Sequence, residues 1–349
     1  MIRARIGKSR WGGVASRIRL THTYDDIISI ENLLAAWREF LRGKRHKRDV
    51  QEFQYRLMDN IFLLHRDLKE KKYVHGGYHH FKISDPKPRD IHKATVRDRL
   101  LHHAIYRVLY PFFDRTFIAD SYSCRLGKGT HKATNRFRTF AYEVSQNHTR
   151  TRWVLQCDIR KFFASIDQKI LMDIIGRYIP DTFIVWLIGQ VVSSFDSGTM
   201  GKGLPLGNLT SQLLVNVYMN EFDQFVKHKL KVRQYVRYAD DFLTLSQNKQ
   251  RLESLIPYME AFLQRRLKLE LHPDKVFIKT LASGVDFLGW IHFTDHRVLR
   301  TATKRRMFKR LMISSKRSEV SRSYLGLISH GNSMKLRREI DDRLKGIFV

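Results

Sequence analysis

Cysteine is almost absent: the 349 residues hold two, Cys124 and Cys157, with no CxxC pair and no Cys/His cluster. That excludes a disulfide framework, argues against a structural zinc site and suits a reducing compartment. Long apolar runs are missing too, since no stretch approaches the roughly 20 residues of a transmembrane helix. The N-terminal MIRARIGKSRWGG is basic but has no apolar h-region, so it does not read as a secretion signal. There is no internal repeat and no low-complexity segment. Negative charge is the scarcest commodity. Asp and Glu total 34 against 64 Lys and Arg, a formal net charge of +30.

A surplus of that size opposes compaction unless a polyanion neutralises part of it. Acidic lipid could do so, but the basic residues do not gather on one amphipathic helix. They run along the whole chain, which points to nucleic acid and away from a membrane partner. Cytoplasmic localisation, in a bacterial or phage-encoded protein, is the matching expectation. Hydrophobic residues make up 43% of the chain, enough for a sizeable core and two or three subdomains.

Residues 29–42 place Ile30, Leu33, Leu34, Trp37, Phe40 and Leu41 on one helical face. After the basic connector GKRHKR, a second helix is expected with Asp49 as its N-cap, Glu52 three residues on, and Phe53, Leu57, Ile61, Leu64 and Leu68 inward. YHHFKI is strand-like, and residues 96–113 look helical, ending around Pro111. Strand and helix then alternate. WVLQCDI is β-prone, residues 168–192 are helical with an interruption near Pro180, and residues 209–230 form a long helix. QYVRYADDFLTL reads as two short strands about a tight turn. Residues 249–267 are a helix, LKLEL and KVFIKT read as strands, and a basic helical tail begins near Lys304. The order indicates an α+β core with an appended helical subdomain.

Asp158 ends one apolar strand, and Asp240 with Asp241 occupies the strand-turn-strand. Carboxylates at strand ends pack poorly in a core but can converge on a shared cation. Phosphoryl transfer to a hydroxyl needs charge neutralised on the attacking and leaving oxygens, which two Mg²⁺ ions about 3.5–4 Å apart supply in polymerases and nucleases. An Asp-Asp pair in a turn is equally what a solvated loop uses. Here Tyr238, Phe242 and Leu243 enclose it.

Five segments in order carry a resemblance: CDIRKFFASID (157–167), GLPLGNLTSQ (203–212), YVRYADDF (235–242), LKLELHPDKV (267–276) and VDFLGW (285–290). Together they resemble the reverse transcriptase family over roughly residues 80–335. The resemblance implies a right-hand polymerase. Residues 1–80 would form an N-terminal helical region joining the fingers, 81–150 the fingers, 151–295 the palm and 296–349 a short helical thumb. It implies RNA-directed DNA synthesis with dNTPs, template RNA, an RNA/DNA duplex and two Mg²⁺ ions, with Mn²⁺ as a substitute. Asp158 and Asp240 would hold the metals, the Ile159 carbonyl would assist, and Asp241 would support them. Lys275 matches a lysine proposed to protonate the leaving pyrophosphate. Arg89 and Lys87 match fingers residues that grip the triphosphate. Phe163 matches an aromatic gate against the ribose 2′-OH, although a core Phe would look the same. Gly207 and Gln212 fall at the nucleotide. Asn208, Thr210, Ser211 and Tyr238 fall along the nucleotide and template strand, and Tyr324 lies in a segment that would track the primer-template.

Leu206 is the departure. Most of the family carry Gln there, within QGxxxSP, whereas this chain reads LGNLTSQ. That variant resembles the reverse transcriptases of diversity-generating retroelements, as do SYSCRLGKGTH and LTSQLLVNVY. It implies mutagenic copying of a template-repeat RNA, with errors opposite adenine, and a small basic helical-bundle accessory protein. The segment after VDFLGW is short, so target nicking and RNA splicing are expected from other chains. The rivals are an antiviral or abortive-infection reverse transcriptase and a non-catalytic RNA-binding scaffold.

Overall fold

A computed structural model of the chain describes residues 18–84, 88–313 and 317–345. Four helices come first: α1 (Tyr24–Ile28), α2 (Ile30–Phe40), α3 (Arg48–Tyr55) and α4 (Leu57–Lys69). On α2 the expected stripe is buried at Leu33, Trp37 and Phe40, and the Ser29 hydroxyl caps the helix by accepting from the Asn32 N–H at 3.2 Å. The helix expected from Asp49 is instead two helices, broken at Arg56, and Lys47 holds the first cap position. Asp49 lies one residue inside. Its carboxylate is taken by Lys93 and Arg99, each at 2.6 Å, so it ties α3 to later chain.

β1 (Tyr78–Ile83) and β2 (Arg89–Ala94) form an antiparallel hairpin, with Ile83 opposite Arg89. α5 (Val96–Asp114) runs through Pro111, past its expected end. Burial of Phe112 and Phe113 beyond the proline offsets the hydrogen bond it removes. α6 (Thr130–Val144) leads into β3 (Trp153–Asp158), then α7 (Phe162–Ser165), α8 (Gln168–Gly176) and α9 (Thr182–Ser193). The interruption at Pro180 is there, and the Asp181 carboxylate caps α9 from the Phe183 and Ile184 amides.

α10 (Leu209–Gln224) is buried almost all round and ends in a π turn over Phe225–Lys229. β4 (Tyr235–Tyr238), β5 (Asp241–Ser246), α11 (Lys249–Leu267) and β6 (Phe277–Thr280) complete the central unit. LKLEL is not a strand: Leu271 alone bridges to Ile159. A small sheet, β7 (Val285–Phe287), β8 (Trp290–His292) and β9 (Arg297–Leu299), precedes α12 (Thr301–Ile313), α13 (Arg317–Ile328) and α14 (Met334–Lys345). These last helices enclose their own cluster of Met307, Phe308, Leu311, Ile328 and Ile340.

The central sheet is antiparallel, in the order β4-β5-β3-β6. Alternate residues feed two cores, as a period of two requires. Leu155, Cys157, Tyr235 and Phe242 join the large cluster with α5, α8 and α10. Val154, Val236, Leu243 and Leu245 face the other way, against Phe137, Phe140 and Ala141 of α6. Both faces are covered, which is why these strands read as nearly continuous apolar runs. The class is α+β, as expected. No helix among the described residues is long and apolar enough to cross a membrane.

Candidate active site

Strand register brings the acids together. On the paired strands β3 and β5, Asp158 lies directly opposite Asp241, and Asp240 precedes Asp241 in the turn from β4. The turn depends on Ala239, whose φ of 57° is left-handed. A non-glycine residue there carries a cost of about 1–2 kcal/mol. What holds it is Arg237, buried completely on β4. Its guanidinium donates to the Ala239 carbonyl at 3.0 Å and makes a two-pronged pair with Asp223 of α10, at 2.8 and 2.7 Å. Tyr235 donates to the same carboxylate at 2.8 Å, and Arg237 also reaches the Asn216 side-chain oxygen at 3.3 Å. Burial is the largest single influence on Arg237 and lowers its pKa, but the Asp223 charge and hydrogen bonds, with the charges of Tyr235 and Asp240, together outweigh it and the net shift is upward.

The acids are electrostatically frustrated. Asp240 is pushed above the usual carboxylate range by burial and then by the Asp158 charge, while Lys275 and Arg89 pull it back. Asp241 rises to about 7, mainly through burial. An amide hydrogen bond from Gln156 at 3.4 Å opposes that rise, and the charges of Asp240, Asp158 and Asp286 add to it. Gln156 also donates to the Asp286 carbonyl at 2.9 Å. Asp158 meets the Lys275 ammonium at 3.0 Å. Ile159 is buried, and the bridge to Leu271 fixes its backbone, with the His272 N–H donating to the Asp158 carbonyl at 2.8 Å.

Among the described residues no group of three or more His, Cys, Asp or Glu is spaced to hold a metal by itself. Mg²⁺ commonly takes one or two carboxylates and fills the rest of its octahedron with water and substrate phosphate. Half-buried acids whose charges push Asp240 and Asp241 upward fit that hard, oxygen-seeking cation, because it relieves the repulsion among them.

Other expected residues are placed as follows. Arg89 is exposed at the start of β2, close enough for its charge to reach Asp240 and Tyr238. Lys87 lies outside the described residues. Phe162 is core, while Phe163 is half-buried with its ring edge-on to Phe162 at 5.5 Å. Leu206 and Gln212 are half-buried, and Gly207 is exposed with φ 109°. A Cβ on Gly207 would lie 3.0 Å from Ile91 of β2. The Leu206 carbonyl accepts from the His92 N–H, and the Asn208 amide donates to the His92 carbonyl, both at 3.1 Å. Asn208 and Ser211, expected along the nucleic acid, therefore have buried side chains, and that of Asn208 clasps the turn to β2. Tyr238 is half-buried at the end of β4, and Tyr324 packs partly into the cluster of α12–α14.

Sequence reasoning missed Arg237, Asp223, Asn216 and Gln156. A signal was present: Arg237 is a charge inside the β-prone run YVRY, and Asp223 stands between Phe222 and Phe225 in NEFDQF. A charge there has to be paired.

Residues 82–292 match the family model described as reverse transcriptase (RNA-dependent DNA polymerase). Protein YkfC of Escherichia coli (strain K12) is 27% identical over 259 residues, covering 63% of this chain and 66% of that one. The group II intron-encoded protein LtrA of Lactococcus lactis subsp. cremoris is 23% identical over 295 residues, covering 65% and 47%. The matched region is thus less than two thirds of either relative. Telomerase from Candida albicans, solved with a fragment of telomeric RNA, gives a TM-score of 0.49 at 10% identity, covering 67% of this chain and 48% of that one. That likeness is too slight to carry an argument.

Proposed function

This chain belongs to the reverse transcriptase family, and from that membership we propose that it is an RNA-directed DNA polymerase whose acids are Asp158, Asp240 and Asp241. The observation that carries the reading is the register that sets Asp158 opposite Asp241, with Asp240 beside them and Lys275 on Asp158. In the reaction the primer 3′-hydroxyl attacks the α-phosphorus of a dNTP, the new phosphodiester forms, and pyrophosphate leaves. Asp158 and Asp240, with the Ile159 carbonyl, would hold Mg²⁺, and Asp241 would hold the turn and share the charge. Bound there, the ions supply charge neutralisation at the attacking and leaving oxygens. Lys275 stands beside Asp158 as a proton source for the leaving pyrophosphate. Arg89 grips the triphosphate from the start of β2, and Lys87 assists. Phe163 stands against the sugar 2′ position.

On this reading residues 81–150 act as fingers on the N-terminal helices of 1–80, residues 151–295 as the palm, and 296–349 as a thumb whose Tyr324 lies along the primer-template. Leu206, Gly207 and Gln212 line the nucleotide, and Tyr238 the nucleic acid beside it. Asn208 acts by fixing the turn to β2, and Ser211 by packing at the start of α10. The LGNLTSQ segment supports a diversity-generating retroelement enzyme, copying a repeat RNA in the cytoplasm with a small basic helical-bundle partner. The match to an intron-encoded protein favours a second reading, an accurate intron-associated reverse transcriptase. Leu206 separates them. Its side chain has no donor or acceptor, so a correct base pair gains less positional control over a mismatch than with Gln. One such hydrogen bond is worth about 1 kcal/mol, or about fivefold in selectivity. Sequencing cDNA made from one RNA by the parent and by Leu206→Gln tests this. We expect frequent errors opposite adenine in the parent and about fivefold fewer in the variant. Equal and low error rates would favour the intron-type reading.

A further inference from the structure

At the opposite end of the central sheet from the acids lies a groove that the polymerase chemistry does not use. Its position follows from register. Trp153 begins β3 and Asp158 ends it, so the two are about 17 Å apart along the strand, and Thr280 pairs with Trp153. Two adjoining cavities open at this end. One, of about 450 Å³, is lined by Arg138, Tyr142, His292 and Phe293 among others. The other, of about 250 Å³, is lined by Arg150, Arg152 and Thr280 among others. They share His148, Leu281 and Thr294, so these residues form the wall between them.

None of the residues lining either cavity is acidic. Two acids adjoin lining residues in sequence, Glu143 and Asp295, and neither lines the cavities; Asp295 pairs with His296 at 2.7 Å. The floor contains an unusual group. His292 is 1% exposed, and neither ring nitrogen has a hydrogen-bond partner. The Phe287 main chain lies close enough to influence the ring but outside hydrogen-bond geometry. A buried polar side chain without a partner is destabilising, and a ligand placed in the cavity it lines would remove that cost. Along the rim, Tyr142 is 47% exposed with its ring edge-on to His148 at 5.1 Å. His148 is presented by three consecutive left-handed residues, Gln146, Asn147 and His148. Such a run is seldom kept without a use. Arg152 is buried and donates to the Ala141 carbonyl and to His148, so it braces this wall.

We propose that this groove is a second nucleic-acid site, which takes a single-stranded segment of RNA with its phosphates on Arg138 and Arg150 and one base in the His292 cavity. Charge selects a polyanion. The larger cavity has the size of a small-ligand pocket, and Tyr142 and Phe293 offer the aromatic faces on which unpaired bases stack. A duplex, with its bases turned inward, would leave the His292 cavity unfilled. The inference rests on reading the chain as an enzyme that copies RNA, and it adds a hold on template outside the copying cleft.

The test compares the full chain with Arg138→Gln/Arg150→Gln and, separately, with Tyr142→Ala, all at exposed positions. Affinity for a labelled single-stranded RNA is measured by anisotropy across salt. Nucleotide addition is measured on a primer-template too short to leave the cleft. In the double variant the slope of log affinity against log salt should become shallower by about 1.4, from two phosphates at about 0.7 each. Tyr142→Ala should weaken binding by about tenfold, and both variants should extend the short substrate at the parent's rate. RNA photo-crosslinked in the presence of saturating short duplex should label residues 135–152 and 280–297. Unchanged affinity and slope, or crosslinks confined to the cleft, would overturn the proposal and leave the groove to an acidic protein segment. A parent that binds RNA but adds no nucleotide would sink the polymerase reading, while the affinity comparison would still decide the groove.

Discussion

At the scale of single residues, neighbouring side chains take different tasks according to which way the backbone turns them. Phe162 and Phe163 are adjacent, yet one is core and the other half-buried beside the acids' strand. If Phe163 excludes the 2′-hydroxyl, it does so by collision, and a repulsive element can be lost through one truncation. Phe163→Ala should reduce the preference for dNTPs over ribonucleotides by at least about tenfold, equivalent to about 1.4 kcal/mol. Competing incorporation on one primed RNA measures it. An unchanged preference in an active variant would return Phe163 to the core. Asn208 shows how burial changes a role. Its residue type suggested contact with a backbone, and it does make one, with the protein's own His92.

At the scale of elements, the β4–β5 turn is the piece on which the site depends, and α10 holds it through Asp223. Asp223→Asn should destabilise the chain by about 3–5 kcal/mol, because the Arg237 charge would be left buried without its counter-charge. Adding Arg237→Met should recover most of that loss, since an apolar pair of similar volume can replace a buried ion pair. Activity should not return with it, because nothing then donates to the left-handed Ala239 carbonyl. Melting temperature and extension rate are measured side by side, and recovery of both would reduce the network to packing. Here the limits of the sequence are physical. The strand-turn-strand was legible because β-branched and aromatic residues flank an acidic pair. The partner of Arg237 was not, because Asp223 is 14 residues away on another element and only the folded chain joins them. The break at Arg56 was equally hidden, since the apolar stripe runs through it with helical spacing. LKLEL alternates like a strand, yet its Leu267 is the last residue of α11 and its Lys268 the left-handed C-cap, and only Leu271 reaches a neighbour.

At the scale of the whole molecule, a chain with a net charge of +30 still buries neutral imidazoles. His102 is pushed down to about 3 by burial first and then by the charges of His75, His103 and Arg99. His292 is pushed down to about 3 by burial and then by Arg297 and Arg138. Between pH 3 and 6.5 the unfolded chain binds protons at these residues that the folded chain refuses. Stability from them is therefore complete above about pH 6.5 and lost as pH falls, by up to about 1.4 kcal/mol per pH unit for each. Asp241, raised to about 7, works in the opposite sense, so a difference between variants is needed. His102→Met, close in volume and without a titrating group, should lose less stability than the parent between about pH 6.5 and 4.5. Denaturant midpoints across that range give the comparison, and identical slopes would mean that His102 is already charged in the fold.

On the proposed function, the carboxylates of the β3 end and the β4–β5 turn perform metal-dependent copying of RNA into DNA. The most direct measurement is single-turnover extension of a DNA primer on an RNA template, for the parent and Asp240→Asn, across a Mg²⁺ titration, with RNA affinity recorded in parallel. An amide fills the same space as the carboxylate but lacks the charge that a hard divalent cation requires. Losing several kcal/mol of charge stabilisation corresponds to a fall of about a thousandfold or more. That fall is expected with RNA affinity nearly unchanged, and extension by Asp240→Asn within about tenfold of the parent, at any Mg²⁺ concentration, would contradict the metal assignment.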